Sequence, residues 1–209
     1  DGLLVGGAVT VGSVGKVRSL TITGTATSGD GITTTAALRA TGALTLTGYT
    51  ATGTNGIDVG STLASTVAGD VILSGKSGGI NAAVYTTGVT LANTLTVAAG
   101  NLTIQGATLV GGIATPLPGS SATGSRYGFS SAAAGDITVS GNISLAGTSV
   151  TFLGAYLLGD VLSTDGNVAL TGAGLYAMSL SAPVTAGTGA NPRTLTITTT
   201  GSNGYGLTT

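Results

Sequence analysis

Along most of this chain an aliphatic residue alternates with threonine or serine for four positions, and the run then stops at glycine. Leu20-Thr21-Ile22-Thr23-Gly24 returns as Leu44-Thr45-Leu46-Thr47-Gly48. Looser copies are Val71-Ile72-Leu73-Ser74-Gly75, Leu102-Thr103-Ile104-Gln105-Gly106, Ile137-Thr138-Val139-Ser140-Gly141, Val168-Ala169-Leu170-Thr171-Gly172 and Leu195-Thr196-Ile197-Thr198-Thr199. Alternation with period two marks a strand with one apolar and one polar face. A short strand of this kind cannot bury its apolar face alone, so it stacks on its own copies. The pattern predicts a parallel β-solenoid.

Aligned on their first apolar residue, the seven phrases start at 20, 44, 71, 102, 137, 168 and 195, in steps of 24, 27, 31, 35, 31 and 27. A second marker, glycine followed by an aliphatic residue, recurs at Gly31-Ile32, Gly56-Ile57, Gly79-Ile80, Gly112-Ile113, Gly174-Leu175 and Gly206-Leu207. Each unit therefore reads as strand, glycine-rich corner, second strand, corner. Ser28-Gly29-Asp30-Gly31, Thr54-Asn55-Gly56, Thr164-Asp165-Gly166-Asn167 and Ser202-Asn203-Gly204 are the expected corners, with positive φ supplied by Gly and Asn. Asn-Gly and Asp-Gly also mark hairpins. Copies spaced about one coil apart favour stacking over an antiparallel meander. Residues 107–135 contain Pro116 and Pro118 in a Ser/Gly-rich run and are expected to bulge from the rod as a loop. No domain boundary is visible, so residues 1–209 read as a single solenoid, a fragment or repeating segment of a longer fibre.

Composition narrows the function. Charged residues are 6% of the chain, against about 25% in typical proteins. There are 38 Gly and no Cys, His, Trp or Glu, so the core must be built from small aliphatics. A net charge of −1 gives no electrostatic footprint for nucleic acid. Mean hydropathy is positive, yet Gly, Thr or Ser interrupts every apolar run well short of the ~18 residues a spanning helix needs, so no membrane insertion is expected. A transmembrane β-barrel is disfavoured by two Phe and no Trp, too few for aromatic girdles. So neutral a surface requires cover, which predicts either continuation within a longer chain or self-association into a filament.

The segments LTITGTATSGDGI, LTLTGYTATGTNGI, LTIQG and ITVSGNISLAG resemble the repeats of filamentous-haemagglutinin-type exoproteins over roughly residues 15 to 209. The resemblance implies an all-β, right-handed parallel β-helix; the seven phrases give it about seven coils, whose irregular spacing of 24 to 35 residues departs from the tighter period of that family. It also implies two-partner or autotransporter secretion to a bacterial cell surface, and a structural or adhesive role with host or bacterial surface glycans or proteins as partners. No catalytic residue carries over.

Candidate chemistry is sparse. Seven Asp (Asp1, Asp30, Asp58, Asp70, Asp136, Asp160, Asp165) sit mostly beside Gly, where an Asp side chain forms turns. Asp70 and Asp136 share a slot with Asn101 and Asn167, each after Gly, which reads as a turn requirement. A polysaccharide-degrading enzyme on the same fold would need a carboxylate pair such as Asp136, Asp160 and Asp165 could provide. Without His, Cys or Glu the expectation is no catalytic residue, no metal and no cofactor. The Thr-x-Thr phrases resemble the flat arrays of ice-binding proteins, but the array breaks at Ile72, Gln105 and Ala169, and the β-propensity and cross-strand pairing of Thr are the far commoner explanation. Arg126, Tyr127 and Phe129, at the exit of the expected loop, form the candidate glycan or partner contact. Asn101-Leu102-Thr103 and Asn142-Ile143-Ser144 match the glycosylation sequon at strand starts.

Overall fold

A computed structural model describes residues 1–78, 86–109, 126–202 and 206–209. Among the described residues the chain is all-β, and it forms a parallel β-solenoid of about seven turns. Each turn has three strands rather than the two the sequence suggests. One turn runs Ile32–Thr34, Leu38–Ala40, Leu44–Thr50, and each strand pairs in parallel with its equivalent in the next turn. Three sheets result. The first and second each contain eight strands and the third contains seven.

The third sheet carries the repeated phrase. Its strands are Leu20–Ala26, Leu44–Thr50, Val71–Ser77, Leu102–Thr108, Ile143–Ser149, Val168–Gly174 and Leu195–Gly201. The fifth member is thus Ile143-Ser144-Leu145-Ala146-Gly147, which lies under Leu102–Thr108 in unbroken register. Ile137-Thr138-Val139, expected in this slot, is a three-residue strand of the second sheet, stacked between Leu95–Val97 and Val161–Ser163. With this correction the steps become 24, 27, 31, 41, 25 and 27. The two longest contain residues 79–85 and 110–125, outside the described residues.

The expected loop at 107–135 is narrower than the sequence implied. Ala107 and Thr108 close a third-sheet strand, and Arg126–Ser131 is a first-sheet strand paired on both sides. Pro116 and Pro118 lie outside the described residues.

Inward positions form columns. Leu44, Val71, Leu102, Ile143 and Val168 make one, Leu46, Leu73, Ile104, Leu145 and Leu170 the next, and all are buried. A narrow triangular tube offers each turn few inward positions, and these side chains fill it. Where Phe129 enters its column, Ala155 follows directly beneath it, so a large and a small side chain share the volume.

Glycine has a different role from the one the sequence suggested. Gly24, Gly48, Gly75, Gly106, Gly147 and Gly172 stack in one column of the third sheet. They face a first-sheet column of Gly31, Gly56, Gly88, Gly128, Gly154 and Ala177. A Cβ on Gly106 would stand 1.9 Å from the Gly128 carbonyl oxygen, and one on Gly48 2.0 Å from that of Gly56. The two sheets touch backbone to backbone along this seam. Gly56 is therefore a corner residue for want of room, not for positive φ, and Gly166 is one for the same reason elsewhere, since its added Cβ would stand 2.2 Å from the Gly141 carbonyl carbon. Among expected corners, Gly29 has φ +81, Asn203 and Gly204 lie outside the described residues, and among the described residues no non-glycine has positive φ. The true second marker is Gly31-Ile32, Gly56-Ile57, Gly88-Val89, Gly128-Phe129 and Gly154-Ala155. Gly174-Leu175 does not occupy it, and Gly79-Ile80 and Gly112-Ile113 are outside the described residues.

Candidate functional site

Three polar or aromatic clusters stand out on this scaffold. The first contains the predicted contact residues. Arg126 and Tyr127 are half-buried at the start of Arg126–Ser131, but Phe129 is completely buried. It occupies the core column between Val89 and Ala155, so it cannot touch a ligand. The alternation explains this: Phe129 falls in the slot that Ile32 and Ile57 occupy in earlier turns. Phe129 is corrected from contact residue to core.

Tyr127 instead joins rings the sequence reading did not group. Its ring lies nearly parallel to that of Tyr156 with centroids 5.2 Å apart, and edge-on to Phe152 at 5.8 Å. Phe152 in turn meets Tyr176 edge-on at 5.5 Å. Four half-buried rings thus form one cluster, in a chain with only six Tyr and two Phe. A shallow cleft of about 350 Å³ adjoins it, lined by Phe152, Leu153, Tyr176, Ser179 and Thr208. Tyr127 and Tyr176 share one column with Leu153 between them, and Phe152 stands beside it; the spacing of the three rings, 25 and 24 residues, close to one turn, was the available signal.

The second cluster is acidic. Asp30 accepts hydrogen bonds from the Asn55 backbone N–H at 2.7 Å, from the Asn55 amide and Thr33 hydroxyl at 3.3 Å, and from the Thr54 hydroxyl. Thr90 donates to the Asn55 side-chain oxygen at 3.3 Å, extending the network across turns. Asp58, paired in register with Thr33 and Thr90, has its pKa raised by burial and, secondarily, by the negative charge of Asp30. The donors satisfy Asp30 as a turn brace, which is a structural use.

The third is a ladder before the third-sheet strands. The Asn101 backbone and side-chain amides donate to Asp70 at 2.8 and 3.1 Å, and those of Asn142 donate to Asn101 at 2.9 and 3.2 Å. The backbone N–H of Asn167 then donates to Asn142, and that of Thr194 to Asn167. Asp70, Asn101, Asn142 and Asn167 share this slot. Asp136 does not. It stands at another corner and accepts from the Asp160 backbone N–H at 3.0 Å. Asp165 lies at a third position, its carbonyl accepting from Arg193 Nε at 2.6 Å. The structure therefore joins Asp136 to Asp160 but leaves Asp165 apart. Both sequon asparagines spend their side-chain amides within the ladder.

Among the described residues, no group of three or more His, Cys, Asp or Glu converges as a metal centre. No helix among them is long and apolar enough to cross a membrane. No family model, no curated protein and no solved structure matches the chain.

Proposed function

We propose that the chain is a segment of a non-enzymatic, extracellular β-solenoid rod with a structural or adhesive role at a bacterial surface. The single observation supporting this reading is that about seven turns stack in parallel register over one continuous aliphatic tube, which a further turn would extend without change of geometry. Leu3 is 36% exposed at one end, and Leu195 and Leu207 are 40% and 43% exposed at the other, although each continues a core column. Unpaired parallel edges above a continuing apolar column accept a further turn, from the same polypeptide or from a second copy. At the latter end of the second sheet, Asn191–Pro192 folds back antiparallel onto Gly187 and Thr188, just past the Val184–Ala186 residues that stack on the preceding turn.

Electron microscopy with light scattering of the purified chain tests the assembly. Rods lengthening with concentration in steps of about 34 Å, seven strand spacings, support it. Compact particles of one chain mass at every concentration refute assembly from separate copies.

A contact role for the same rod is favoured by the ring cluster of Tyr127, Phe152, Tyr156 and Tyr176. Half-exposed aromatic faces beside hydroxyls suit a saccharide ring. A glycan array with wild type and Tyr156→Ala tests this role. Equal or absent binding by both rejects it.

A further inference from the structure

The outer face of the third sheet is unlike the other two. Each of its seven strands presents three outward residues, so 21 side chains form three columns in register. The columns begin Thr21, Thr45, Ile72; Thr23, Thr47, Ser74; and Thr25, Tyr49, Lys76. Eleven of the 21 are Thr, two are Ser, four are Ala, and Lys76 is the one charge. The first and second sheets have shorter strands, and their outward residues include Asp58 and Arg39. The third column was not foreseen from the Thr-x-Thr phrase, and the fifth strand contributes Ser144, Ala146 and Thr148 rather than Thr138 and Ser140.

The size and chemistry of this face limit what can cover it. Seven strands at about 4.8 Å and six residue rises of about 3.3 Å make a face of about 29 by 20 Å. That is about 600 Å², below the ~800 Å² a stable protein pair buries on each side. It offers one Tyr and one Lys in place of a cluster of aromatic and Arg anchors. With one positive charge it cannot hold a polyanion. It does hold hydroxyl and methyl groups fixed on a grid, about 4.8 Å along the rod and about 6.6 Å along each strand. Steps of that order separate oxygen positions on the faces of hexagonal ice. The inward anchoring of each strand by the core and the glycine seam prevents the grid from relaxing.

We propose that this face binds the ordered water of an ice surface, the Thr hydroxyls occupying lattice positions and their methyls seating between them. The inference is independent of end-to-end assembly, because the face runs parallel to the rod axis and stays open when turns are added. The grid is interrupted by Ile72, Lys76 and Gln105 near its centre, by Tyr49, and by Ala107, Ala146, Ala169 and Ala173, which lack the hydroxyl. Binding is therefore carried by Thr21, Thr23, Thr25, Thr45 and Thr47 at one end and by Thr171, Thr196, Thr198 and Thr200 at the other.

The purified chain tests this by partition into slowly growing polycrystalline ice, with recrystallisation inhibition as a second readout. Wild type is expected to enter the ice. T47K together with T171K, both outward and solvent-facing, should lose partition to the level of an unrelated protein. T96K with T138K, on the outer face of the second sheet, should retain it. K76T with Q105T should strengthen it. Circular dichroism verifies that each variant folds. Exclusion of wild type from ice overturns the proposal, as does equal partition of both double-lysine variants. Concentration-dependent lateral association that T47K/T171K abolishes would assign the face to a second copy, which also overturns it.

Discussion

Replacing Gly147 by Ala tests the glycine seam directly. An added Cβ there would lie 1.9 Å from the Gly154 carbonyl oxygen, 2.6 Å from its carbonyl carbon and 3.0 Å from the Phe129 nitrogen. All three are backbone atoms held by sheet pairing, so no side chain can swing aside. Ordinary contact needs about 1.5 Å more room, and gaining it would separate the first and third sheets at that turn. The expected penalty is that of overpacking, about 1–3 kcal/mol. Against it stands the smaller entropy of an unfolded Ala chain, worth about 0.4–1 kcal/mol in the opposite direction. The clash wins, and a chain of this size should lose about 2–8 °C in Tm. Gly6 provides the control, because nothing lies within 4 Å of its added Cβ and its φ is not positive. Gly6→Ala should leave Tm unchanged or raise it slightly. Thermal unfolding by circular dichroism reads both. Equal Tm for Gly147→Ala and wild type would refute the close-approach argument and restore a turn-conformation reading for these glycines. The chain itself supports the reasoning: Ala177 faces Gly172, and Thr199 faces Gly206, so these two turns keep glycine on one side of the seam.

Asn142→Ala should remove the acceptor for the Asn167 N–H and the donor to Asn101. The expected loss is about 0.5–1.5 kcal/mol, with faster amide exchange at Asn167 that Asn142→Asp, which keeps the acceptor, restores. Asp58 has a folded pKa above its ordinary 3.8. Its contribution is therefore fully present below that value and is lost as pH rises through the folded pKa. Stability should fall with rising pH across this window, and Asp58→Asn should remove that fall and raise Tm at pH 7. Tm of both proteins between pH 3 and 8 checks the sign; a wild-type advantage at pH 7 would contradict it. Phe129→Ala should cost about 3–5 kcal/mol through the cavity it leaves. Tyr127→Ala, at the half-exposed cluster, should cost clearly less; denaturant titration separates the two.

The strand repeat, the parallel stacking and the number of turns were legible because alternation and the terminal glycine are properties of single short segments. The third sheet's members were identified correctly except for one. Ile137-Thr138-Val139-Ser140-Gly141 matches the phrase by composition, yet Ile143-Ser144-Leu145-Ala146-Gly147 carries the glycine that meets Gly154. Local pattern could not choose between them, because the choice is made by the opposite sheet. The second sheet was missed for a related reason. Its strands, such as Leu38–Ala40 and Leu63–Ser65, are three residues long, too short to show a period. Phe129 was misread because an aromatic next to Arg126 and Tyr127 looks like a surface motif until register places it beneath Val89.

The same register explains how a chain with 6% charged residues holds a single arrangement. In ordinary sheets, charges on exposed edges prevent wrong pairing. Here nearly every edge is covered by the next turn, and the devices that set the register lie at the corners. Ser65 donates to the Gly42 and Gly69 carbonyls, Ser163 to those of Gly141 and Gly166, and Thr50 to that of Gly29. These hydroxyls, the asparagine ladder and the glycine seam each tie a turn to its neighbour or close its own corner. A slip of one residue would place a Cβ in the seam and strand the corner hydroxyls without acceptors. Specificity therefore does not depend on surface charge, and the outer faces are free to be neutral. That freedom is what permits the first and last strands of the third sheet their all-threonine outer rows, Thr21/Thr23/Thr25 and Thr196/Thr198/Thr200.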